Sequence, residues 1–217
     1  MIVVGAVVVL GMFLLFGWII ATEMFQHRVW RRRVEEGDVE IVQALIEEAF
    51  GVWRHARAPR DLPTHLWSGV QGAQLVAVTA DSATLSAAAE PAFRTEDARR
   101  VQVSTALDEA MALAVRLVDM MLYDVPNIRL ASVRVDLFAT FTEPDGAAMQ
   151  KPILSTIATR AASEEVAWDA LTPAEILERF DSRFTVGSNG QGLPIDLDPV
   201  EGELMRDSTS LLPAGSA

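Results

Sequence analysis

The chain has 217 residues, half of them apolar, and its 18 basic residues against 30 acidic ones give a net charge of −12. An acidic chain repels phosphate backbones, which argues against general nucleic-acid binding. There is no cysteine, which excludes disulfides, Cys-ligated zinc, iron–sulfur clusters and thiol nucleophiles.

Residues 2–21 carry no charge. A helix of this length rises about 30 Å, the thickness of the hydrocarbon core. It also satisfies its own backbone hydrogen bonds, as lipid requires. The rival reading is a cleaved signal peptide, which places basic residues before the apolar run. Here the basic cluster of Arg28, Arg31, Arg32 and Arg33 follows it. The sequence thus predicts a transmembrane anchor over 1–22 and a basic juxtamembrane segment over 23–37. Arginines beside a span stay in the cytoplasm. The predicted protein is therefore single-pass in the inner (cytoplasmic) membrane of a bacterium, with its N-terminus outside and its C-terminal domain in the cytoplasm. Trp18 and Trp30 suit the headgroup level. Gly17 and Ala21 form a small-xxx-small pair that lets helices approach closely.

Four of the 18 basic residues and one acidic residue (Glu23) precede Val34, so 14 basic residues face 29 acidic ones in the remaining body. The predicted cytoplasmic domain covers 38–180. Its first element is a helix capped by Asp38 and running to His55, with Val39, Val42, Leu45, Ile46, Ala49, Phe50 and Trp53 on one stripe. Pro59 and Pro63 make 56–64 a connection. Strands follow at 73–79 and 82–90. A long helix is predicted from Glu96 to Tyr123 with Thr95 as its cap. A strand at 128–142, an EPDG turn at 143–146 and a return strand at 152–160 come next. The last predicted helix starts at Thr172, where a capping hydroxyl, Pro173 and Glu175 form a start signal. Trp168 is expected to cover the sheet edge.

The order ββαββα implies an α+β fold with a four-stranded, mainly antiparallel sheet and helices on one face. From Asp181 the composition turns to glycine, serine, proline and acids, so 181–217 reads as an acidic flexible tail.

His55, Asp61 and His65 fit no compact zinc spacing, and His27 belongs to the membrane flank. No G-x-S-x-G elbow or phosphate loop occurs. The glycine-rich 187–192 is followed by Pro194 and acids, as in a linker. Asp108–Glu109, Glu164–Glu165 and Glu47–Glu48 diverge on helices. Arg116 and Asp119, three apart, suit a surface ion pair. Asp136 alternates with apolar neighbours on the polar face of its strand. The methionines 111, 120, 121 and 149 read as core packing. No catalytic, cofactor or metal residues are predicted.

In the order of span and domain, and in size, the layout resembles the H subunit of bacterial photosynthetic reaction centres and single-span accessory subunits of respiratory complexes. The resemblance implies a non-catalytic accessory subunit that stabilises a larger membrane assembly. Its partners would be integral membrane proteins, met through both span and domain, and the lipid bilayer. The alternative is a membrane-anchored adaptor or regulator that recruits a soluble partner.

Overall fold

The computed structural model describes residues 38–60, 62–96 and 99–200. The predicted span, its basic flank and the residues marked there (Gly17, Trp18, Ala21, Arg28, Trp30, Arg31, Arg32 and Arg33) lie outside them. Among the described residues no helix is long and apolar enough to cross a membrane.

The described residues begin with helix α1 (Val39–His55), where the Asp38 side chain accepts from the Glu40 N–H as the sequence predicts. Its apolar stripe is buried from Val42 to Trp53. Helix α2 (Thr64–Gln71) starts on the last residue of the predicted connection and fills a stretch for which the sequence predicts no element. Pro63 stands just before its first residue, where a missing N–H breaks nothing. Trp67 Nε1 donates to Ala56 O at 3.1 Å, and Gln71 Nε2 reaches the carbonyls of Trp53, Arg54 and Ala56 at 3.1–3.3 Å. Helix α2 thereby satisfies carbonyl groups that the end of α1 leaves over.

Strands β1 (Gln74–Val78) and β2 (Ser82–Ala88) form the expected hairpin. The predicted long helix from Glu96 is a correction. Its first residues form a second hairpin, β3 (Phe93–Glu96) with β4 (Arg99–Gln102), and helix α3 spans only Ala106–Asp119. Thr105 and Asp108 exchange hydrogen bonds in a capping box. Thr95 has no acid or amide three residues on, and Phe93–Gln102 carries too few apolar side chains for a helix face. A π-helical turn (Met120–Asp124) ends the helix before Pro126.

Strands β5 (Ser132–Thr142) and β6 (Ala148–Thr159) pair antiparallel around the predicted turn, where Gly146 takes φ 84°. Pro152 sits in the interior of the sheet at an irregularity: Leu137 pairs with Leu154 and Phe138 with Pro152, leaving Ile153 as an extra residue. A bulge tolerates a residue that cannot donate. Helices α4 (Arg160–Glu164) and α5 (Pro173–Leu177) follow, the second with the predicted Thr172–Glu175 capping box. Trp168 lies between Tyr123 and Phe180, with ring centroids 6.3 and 6.1 Å away.

The four-stranded, mainly antiparallel sheet is the second correction. The sheet has six strands in the order β1-β2-β5-β6-β7-β8 and is mixed, because β2 and β5 run parallel. The cause is the connection. A strand pair joined through a helix returns in the same direction, whereas hairpins reverse it. The last two strands, β7 (Asp181–Val186) and β8 (Gly192–Leu193), come from residues that read as tail. Strand β7 pairs with β6 from Leu154↔Phe184 to Ile157↔Asp181, so the folded domain continues past 180.

One face of the sheet carries Ala83, Leu85, Val133, Val135, Leu137 and Leu154, which join the buried residues of α1, α2, α3 and α5 in a single core. The other face alternates with it and is polar, as period-two geometry requires.

Candidate functional site

A cleft of about 380 Å³ opens between α2, the segment 88–92 and α3. His65, Ser68 and Gly69 line one wall, and Glu109 and Leu113 belong to α3. The helices meet closely at Gly69, where an added Cβ would stand 2.7 Å from Leu113 Cδ2.

Glu109 is the polar centre of the cleft. Its side chain is largely buried, and its Oε2 lies 3.0 Å from His65 Nε2. Ser104 Oγ donates to its Oε1. Ser104 in turn accepts from the Ala92 N–H at 3.2 Å. Both carboxylate oxygens are thus engaged. The arrangement ties α2, the foot of the β3–β4 hairpin and the first turn of α3 to one another. The order serine–glutamate–histidine differs from a hydrolase triad, in which histidine contacts the nucleophile directly.

A second polar group lies on the far face of the sheet. Arg134 is 8% exposed and Asp136 4% exposed, with Arg134 Nε 3.0 Å from Asp136 Oδ1. Ser155 Oγ, across the strand pair, donates to the same Oδ1 at 2.6 Å. Arg134 Nη2 is buried without a hydrogen-bond partner. On the next strand Arg183 pairs with Asp198 and holds that carboxyl below its usual range. The sequence places Asp136 on the polar face, as found, but alternation says nothing about how deeply that face is buried.

Other residues singled out in the sequence are dispersed. His55 Nδ1 donates to Gly51 O at 2.8 Å within its own helix, while His65 points into the cleft; Asp61 and His27 lie outside the described residues. Among the described residues no group of three or more His, Asp or Glu side chains is arranged to hold a metal ion. Arg116 and Asp119 form the expected ion pair at 2.8 Å. Burial nevertheless raises the Asp119 carboxyl above its usual range, against the pull of Arg116. Residues 187–192 close the β7–β8 turn, with Gly187 N–H donating to Gln191 O and Gly190 at φ 76°. Met120 and Met121 are in the core and Met111 packs against it, but Met149 is exposed. Sequence reasoning missed the His65–Glu109 contact because it spans 44 positions in a chain read without a helix at 64–71.

Comparisons with family models, with curated proteins and with solved structures gave no match.

Proposed function

We propose that the protein is a non-catalytic, single-span accessory subunit of a larger membrane assembly, such as a photosynthetic or respiratory one. One observation carries the reading: an uncharged run over 2–21 is followed, after six residues that include Glu23, by Arg28, Arg31, Arg32 and Arg33. Such a run partitions into lipid, and the arginines keep the following domain in the cytoplasm. The acidic α+β domain then covers a cytoplasmic face of its neighbours. The engagement of Glu109 by both Ser104 and His65 supports a structural use of the cleft.

The test is purification from membranes in mild detergent. An accessory subunit co-migrates with integral membrane proteins at fixed stoichiometry. A chain that runs alone, or as a small oligomer, overturns this reading in favour of a membrane-anchored adaptor. The adaptor is the second reading because the body, with 29 acidic against 14 basic residues, suits recruitment of a basic soluble partner.

A further inference from the structure

The acidic body carries one compact exception. Residues 49–60 hold no acid but contain Arg54, His55, Arg57 and Arg60. All four are exposed. Arg54 stands over the Phe50 ring at 5.9 Å. Among the described residues none of the three arginines is in an ion pair, as is also true of Arg99, Arg100, Arg160 and Arg179, whereas Arg94, Arg116, Arg129, Arg134 and Arg183 each face a carboxylate.

The segment is also held in place. Trp67 and Gln71 grip the carbonyls of Trp53, Arg54 and Ala56, Ala58 packs against the core, and Leu62 N–H donates to Pro59 O at 3.2 Å. The cations therefore stand on a fixed platform, which spares most of the entropy of ordering a loop on contact.

We infer that Arg54, Arg57 and Arg60 form a docking surface for anionic lipid headgroups, which turns the domain onto the membrane that anchors it. The inference deepens the proposed function and rests on its anchored reading. An acidic body on a short tether is repelled by an anionic bilayer, and this platform is the side it can present. Guanidinium groups match phosphate oxygens in geometry. Each arginine near such a surface adds enough attraction that the three together change the ratio of apposed to free domain by about a hundred-fold.

The absence of cysteine makes the experiment direct. A single Thr64→Cys substitution, four residues from Arg60, is labelled with a fluorophore in the full-length chain. The chain is reconstituted in vesicles of phosphatidylcholine alone, or with added phosphatidylglycerol, each containing headgroup-spin-labelled quencher lipid. Quenching is expected only with phosphatidylglycerol. It is expected to fall with salt, to be lost in R54Q/R57Q/R60Q and to persist in R54K/R57K/R60K. Equal quenching in both vesicles, or quenching that survives the glutamine variant, overturns the inference. So does binding of soluble polyglutamate to the platform without quenching in anionic vesicles, which assigns it to an acidic protein instead. Resistance to alkaline extraction reports on the span separately. A chain that resists extraction yet is unquenched keeps the anchor and loses the platform, whereas one stripped by alkali but quenched beforehand does the reverse.

Discussion

A buried charge is the most consequential single-residue feature of this domain. Arg134 and Asp136 are two positions apart on β5, so both point to the face opposite the helices. Their mutual contact, with Ser155 as a further donor, offsets the desolvation of both. Removing one partner alone leaves the other charge buried. Asp136→Ala is expected to destabilise the fold by about 3–5 kcal/mol in urea unfolding. The double variant Arg134→Met/Asp136→Leu removes both charges and the orphaned Nη2 together, and it is expected to be far less destabilised than Asp136→Ala. Equal losses in the two variants would show that packing rather than charge holds this site. The alternation of Val133, Arg134, Val135, Asp136 and Leu137 makes the direction of these side chains legible in the sequence. Their burial depends on what lies over the face, which alternation does not encode.

At the scale of elements, caps separate the predictions that hold from those that fail. Asp38 and Thr172 were readable because each supplies a side-chain oxygen just before a periodic apolar run, and both cap as expected. The sequence points to Thr95 as the cap of the long helix, whereas Thr105–Asp108 is the pair with reciprocal geometry. The short helix Thr64–Gln71 was hidden by proline on both sides of 61, and it is stabilised from outside itself by packing Trp67 and Val70 into the core. The Thr172–Glu175 box leads to a pH dependence. The Thr172 hydroxyl, then its backbone N–H, hold the Glu175 carboxyl below its usual range. The folded form thus binds the proton more weakly than the unfolded one. The stability from Glu175 is complete above the unfolded carboxylate pKa and is lost as pH falls through the folded one. Urea midpoints of the native chain and of Glu175→Ala are expected to differ at neutral pH and to converge in acid. A difference that stays constant across that range would remove the carboxylate from the account.

For the whole molecule, the described domain has a core closed on itself: α1, α2, α3 and α5 cover one face of the sheet, and their buried residues form one cluster. A core of this kind gives no reason for the domain to need a membrane in order to fold. Deletion of residues 1–33 is therefore expected to leave a folded domain with a cooperative unfolding transition, recovered in the soluble fraction instead of with membranes. Aggregation of the truncated chain would show that α1 or the sheet depends on a partner. Retention of the folded truncated chain on alkali-washed membranes in high salt, which screens the arginines of the platform, would remove the span from the account.

Local patterns were enough to determine the ends of α1, the start of α5, the hairpins β1–β2 and β5–β6 and the polar side of β5, because each follows from a few neighbouring residues. The uncharged run and its arginines belong to the same class of information. Only the tertiary structure decided the parallel contact of β2 with β5, the pairing of β7 with β6, the meeting of His65 with Glu109 and the grip of Gln71 on the end of α1. The physical reason is separation along the chain: these contacts join residues 15 to 50 positions apart. No short window of sequence contains both partners.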